Sequence, residues 1–299
     1  MRPILAICAV LAVASVSTNA LAQDRSGQDN TIIVEGEAPH PPEAVRDLVV
    51  RLADERGPQV AATRFFDALC LAVSGLNRAG NDYLRERIED NARAAGLDVQ
   101  RPGCRVNAQV LIHGDPAALV ERIKEEAPAF LPREIRGRVD AQVARGERII
   151  VWHNEEDRNE GGRRIGVHQN VAGGTRGVHD ALNVEARINN NNWPSRGALS
   201  HSSGVVSAGI ILDADIAAGM LIDRLADYAT MRLLAPDLVP LTGDVPEPAT
   251  ITAPFPGDPG SPTLTRFDRA YLAALYSLRP NAPATQLAGA VAAEYEGRD

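Results

Sequence analysis

Three groups of residues in this chain combine types that can do chemistry. The first is Trp152-His153-Asn154-Glu155-Glu156-Asp157, an imidazole and three carboxylates at the end of an apolar run. Such a set can hold a divalent cation or move protons as acid and base. Neighbouring side chains of an extended segment point to opposite sides, and the run has no ligand spacing, so a solvated acidic turn is the simpler reading. The second is His168, His179 and His201, the last followed by Ser202-Ser203-Gly204. These spacings match neither a zinc finger nor a zincin, and there is no G-x-S-x-G elbow to aim a nucleophile. Polar loop residues account for them. The third is Asp223 and Asp227, one helical turn apart and therefore on one face. H-E-x-x-H uses the same spacing to present two ligands to a metal. Asp223, Asp227, His153 and His201 are thus the candidate metal ligands. Arg224 and Arg232 lie on the same segment and favour local ion pairs instead. No residue earns a catalytic role.

Where these groups work is read from the start of the chain. Arg2, the uncharged apolar run Ile4 to Val16 and Ala20-Leu21-Ala22 have the order of an export signal over residues 1–22, with Gln23 as the expected new N-terminus. The run is too short for a membrane span of about 20 residues, and no later stretch is long enough. The protein is therefore expected in the periplasm or outside the cell, without an integral membrane segment. Cys8 leaves with the signal. Cys70 and Cys104 remain, and in an oxidising compartment they are expected to form one disulfide closing a loop of about 34 residues. The chain is 44% hydrophobic with a net charge of −8. That composition suits a packed core and argues against nucleic acid or anionic lipid as partner. Lys124 is its only lysine.

Periodicity places the elements that must position these groups. Residues 23–153 read as an N-terminal α/β region. It contains a short strand at Thr31–Val34 and a helix at Glu43–Arg56. A buried strand follows at Arg64–Val73, then a helix at Asn81–Ala95 capped by Asn81. Alternation from Cys104 to His113 gives a strand buried on one face. Asp115 and Pro116 then start a helix to Glu126, Pro132–Ala144 is another, and Arg148–Trp152 is a strand. Residues 154–200 are Gly- and Asn-rich loop chemistry. Residues 201–299 contain an apolar strand at Val205–Leu212 and a helix at Ile216–Leu234. A Pro-rich connector over 236–262 leads to helices at Arg266–Leu278 and Ala284–Tyr295. The fold class is α/β or α+β, a mixed sheet with packed helices and a helical C-terminal part.

The segment Leu264-Thr265-Arg266-Phe267-Asp268-Arg269-Ala270-Tyr271-Leu272-Ala273-Ala274-Leu275-Tyr276 resembles the L-T-x-x-D-x-x-x-L-x-x-L-Y closing segment of secreted zinc-peptidase-like (zincin-like) families. Leu225 to Arg232 and Ile32 to Glu37 resemble a family of exported, uncharacterised proteins of Gram-negative bacteria. The first resemblance implies a zincin-like scaffold, yet no H-E-x-x-H occurs anywhere in the chain. The same residues also suit an apolar helix face, with Thr265 near its cap. The expected function is a binding or envelope-associated protein with an extracytoplasmic partner, no cofactor and no catalysis. The alternative is a metal-dependent hydrolase or pseudo-enzyme on a degenerate zincin-like scaffold.

Overall fold

Alternating apolar residues from Ala108 to His113 build the strand at the middle of the sheet. In the computed structural model, which describes residues 40–53, 60–165, 199–239, 248–252 and 262–297, Ala108, Val110 and Ile112 are buried on one face. The expected export signal, the strand expected at Thr31–Val34, and His168 and His179 lie outside the described residues.

In chain order the elements are α1 (Pro42–Leu52), β1 (Arg64–Phe65), β2 (Leu71–Ser74), α2 (Arg78–Ala94), β3 (Ala108–His113), α3 (Pro116–Glu126), α4 (Arg133–Ala144), β4 (Ile149–Asn159), β5 (His201–Asp213), α5 (Ala214–Ala218), α6 (Ile222–Leu234), α7 (Arg266–Ser277) and α8 (Leu287–Glu296). β2 pairs with β3 in parallel, and β3 pairs in parallel with the C-terminal half of β5. β1 joins the same side of β5 at Gly204 and Val205. β4 runs antiparallel along the other side of β5, from Ile149 opposite Leu212 to Asn159 opposite His201. The sheet is mixed, and helices cover both faces. Val120, Ile123, Ile135 and Val139 of α3 and α4 pack on Ile150, Trp152 and Ile211. The larger core on the other face joins α1, α2, α6, α7 and α8 to Val110, Val151, Ile210 and Leu212. Its cover is continuous enough that α6 is buried almost all round.

Local chemistry explains where the elements begin and stop. Asp115 caps α3 through the Ala118 N–H, with Pro116 at the first position. The cap of α2 lies four residues before the expected one, because Asn77 accepts from the Gly80 N–H. Asn81 instead bonds both the N–H and the C=O of Leu76, bracing the turn before the helix. The expected strand over Arg64–Val73 is two strands, since Phe66 to Cys70 leave the ladder between β1 and β2. The helix expected at Ile216–Leu234 is broken at Gly219, whose N–H closes α5 onto the carbonyls of Asp215 and Ile216.

Cys70 and Cys104 form the expected disulfide. It fastens the chain entering β2 to the chain entering β3, beside Asn107, whose side chain accepts from the Cys70 N–H. The closed loop spans 34 residues. In the chain-entropy description such a loop contributes about 3–4 kcal/mol. Replacing both cysteines with serine is expected to cost about that much in a denaturant titration, with little change in the native spectrum. A loss below about 1 kcal/mol would mean the loop stays ordered without its bond.

Candidate functional site

Asp223 and Asp227 do share a face of α6, and that face is turned to α2. Asp227 is 1% exposed and accepts four N–H groups at 2.8 Å: Nε and Nη2 of Arg87, Nδ2 of Asn91 and the backbone N–H of Leu264. Asp223, at the rim, takes the Tyr83 hydroxyl and lies 3.6 Å from Arg87 Nη1. One carboxylate thus fastens three parts of the chain: α2, α6 and the entry to α7. The arrangement also gives a structural role to residues in two of the stretches singled out above. Asp227 comes from Leu225-Ala226-Asp227-Tyr228, and Leu264 opens the segment ending at Tyr276. The next residues of that segment form a capping box. Thr265 accepts from the Asp268 N–H, and Asp268 accepts from the Thr265 N–H at 2.9 Å. The fully buried Asp268 also takes Thr250 Oγ1 at 2.6 Å and the Ile251 N–H at 2.9 Å. Burial pushes its carboxyl above the ordinary value, against these donors.

The other candidates are held separately. The acidic run after Trp152 is strand, not turn: β4 continues to Asn159 because Ser202, Ser203 and Gly204 of β5 pair with it. His153 Nε2 lies 3.1 Å from the Leu233 carbonyl, so that nitrogen carries the proton and donates. Ser202 Oγ donates to the Asn159 carbonyl, and Ser203 Oγ accepts from Thr63. Neither hydroxyl is thereby turned to His201. Among the described residues no three His, Cys, Asp or Glu side chains gather in a group able to hold a metal ion.

Charge from the acidic run is taken up at the outer end of β4. Arg158, 1% exposed, pairs with Asp67 at 2.7 Å and Glu156 at 2.9 Å, and Arg164 forms ion pairs with the same two carboxylates. The guanidiniums of Arg64 and Arg158 lie 5.0 and 5.5 Å from the centre of the Phe66 ring. The hydrogen bond from Arg158 holds the Asp67 carboxyl below its ordinary value, with burial opposing. A lowered folded pKa gives stability that is present above the unfolded value near 4 and is lost as pH falls through the folded one. Asp67→Asn is expected to lower the melting temperature at neutral pH and to flatten its decline below about pH 4. Melts of both proteins from pH 6 to pH 2 would check this; parallel curves would remove Asp67 from the acid response.

A cleft of about 370 Å³ opens beside the edge of β4 that faces away from β5. One wall is α4, with Ile135, Arg138, Ala141, Gln142 and Arg145. The floor is Val151, Trp152, His153 and Glu155 of β4, and the far wall is Arg232, Pro236, Leu238 and Val239 at the end of α6. Gln142 fixes the α4 wall to the floor. Its carboxamide donates to the Val151 carbonyl at 2.8 Å and accepts the Val151 N–H at 3.0 Å, as a neighbouring strand would. With a two-residue period, the backbone of His153 faces the same open side. The cleft was not read from the sequence. Its lining comes from segments nearly a hundred residues apart, and its arginines look like ordinary solvated helix faces. The signal present was Gln142 among charged neighbours on α4, and it carries no meaning without the strand beside it.

No protein-family model matches the chain, and neither the curated proteins nor the solved structures give a match.

Proposed function

We propose that this is an exported binding or envelope-associated protein without catalysis, working in the periplasm or outside the cell, whose ligand sits in the cleft between α4, β4 and the end of α6. The cleft is the observation that carries the reading. It is a concave site of small-molecule size, with apolar and charged groups on both walls and a strand in its floor. The disulfide supports an oxidising compartment. The four donors on Asp227 support a structural role for the helix carboxylates, in place of the hydrolase reading. No described helix is long and apolar enough to cross a membrane.

The test is a ligand screen on the mature protein carrying Trp193→Phe, so that Trp152 alone reports. Binders are expected to change Trp152 emission and raise the melting temperature. Ala141→Phe, which fills the cleft from an exposed position, is expected to abolish both responses. Turnover of a peptide, ester or glycan library by the pure protein would overturn the non-catalytic reading. Export is tested by N-terminal sequencing of protein recovered from the periplasm and medium, with Gln23 expected first. An intact Met1 in cytoplasmic protein would overturn it.

A further inference from the structure

The charges that face the cleft do not cancel. Arg138 comes from α4, Arg145 from its C-cap, Arg232 from α6, His153 and Glu155 from β4, and Glu147 from the turn between α4 and β4. Three arginines against two glutamates leave a cationic site in a chain whose net charge is −8. Set against Glu155, the excess of one charge falls on Arg138 and Arg232. Arg145 is matched by Glu147 at 2.7 Å, and the His153 ring is engaged by the Leu233 carbonyl. Arg138 and Arg232 form no ion pair among the described residues. Arg232 reaches one carbonyl, that of Leu238, at a long 3.3 Å, and its Nε is buried with no hydrogen-bond partner. A buried donor left in this way is costly unless a ligand or water completes it. These two guanidiniums come from opposite walls. Around them lie Ile135, Ala141, Pro236, Leu238 and Val239, which can take an apolar body but not a second charge.

Resting on the cleft reading above, we propose that the site selects a small organic anion: a carboxylate, sulfonate or phosphate head between Arg138 and Arg232, with an apolar body against Leu238, Val239 and Ile135. A guanidinium on each side gives charge-assisted hydrogen bonds to such a head, and the cleft volume lies at the low end of the range for small-molecule sites. An acidic body with a cationic cleft also repels anions everywhere except at the site, which favours entry there.

The probes are 1-anilinonaphthalene-8-sulfonate and N-phenyl-1-naphthylamine, the same rings with and without the anionic group, titrated into the intact mature protein. The sulfonate is expected to saturate one site and to bind about tenfold or more tightly than the neutral amine. Arg138→Gln with Arg232→Gln is expected to remove that preference while leaving the amine's affinity in place. Arg138→Gln alone, at an exposed position, supplies the same test with part of the effect if the double variant does not fold. Melts and far-ultraviolet spectra of each variant exclude binding to loosened protein. Equal affinity for the two probes, or an unchanged preference in the arginine variants, overturns the anion site and leaves the cleft. Failure of both probes to bind, or binding untouched by Ala141→Phe, overturns the cleft as well.

Discussion

Asp227→Ala is expected to lower the unfolding free energy by about 3–5 kcal/mol, the cost of removing one partner from a buried charged network. For a chain of this size that shifts the melting temperature by on the order of 10 °C. The cost arises from the groups left behind. Leu264 loses the acceptor for a buried N–H at the entry to α7, and Asn91 loses its charged acceptor between α2 and α6. Arg87 suffers less, because it is 27% exposed and can turn toward Asp223 or water. Asp223→Ala, four residues earlier on the same face, is expected to cost under about 1 kcal/mol, since its side chain is 41% exposed and meets partners at the rim. The contrast discriminates between two roles for the pair. Two carboxylates acting together on one ion would be lost together, whereas a latch and its rim neighbour differ several-fold in stability. A denaturant titration of both variants with a double-mutant cycle to Arg87 measures this. A loss below about 1 kcal/mol for Asp227→Ala would mean that the seam between α2 and α6 is held by its apolar contacts alone.

What was legible in the chain follows the same division between local and distant causes. α3 announces itself because Asp115, Pro116 and the spacing of Val120 and Ile123 all act within one helix. The disulfide was legible because only two cysteines lie beyond the expected export signal. α2 was placed with the wrong cap, since Asn77 and Asn81 are chemically alike and only the surrounding turn decides between them. The outer half of β4 was missed because Glu155 to Asp157 show no apolar alternation. Their strand is imposed by the backbone of Ser202 to Gly204 and by Arg158, which gathers the charge. The carboxylate pair on α6 was found, but its partners lie on α2 and at Leu264, and the sequence offers no way to count donors arriving from there. The cleft belongs wholly to this second kind. α4, β4 and the end of α6 are each readable, and the space between them is a property of the assembled sheet edge.

Gly209 joins that distant architecture to a single residue and carries the second large prediction. It sits in the middle of β5, where a residue without a side chain weakens a strand unless another group needs the space. Trp152 needs it. The two are directly opposite across the β4–β5 ladder, and a Cβ at Gly209 would lie 2.1 Å from Cζ2 and 2.4 Å from Cε2 of the indole. The ring cannot swing aside cheaply, because it is 4% exposed and packed among Ile135, Val139 and Ile211. Gly209→Ala is therefore expected to cost about 2–3 kcal/mol, the upper part of the usual range for overpacking a core. Gly209→Val should cost more. Trp152→Leu alone leaves a cavity and should also destabilise, by about 3 kcal/mol. Combined with Gly209→Ala it should do less harm than the two losses added, because the new methyl enters the space the indole vacates; a coupling of about 1–3 kcal/mol is expected. The same substitution reaches the cleft, whose floor includes Trp152. A displaced indole should change its emission and weaken sulfonate binding in protein that is still folded. Additive losses, with emission and binding both unchanged, would show that the ring does not rest on Gly209 and that the floor of the cleft is set elsewhere.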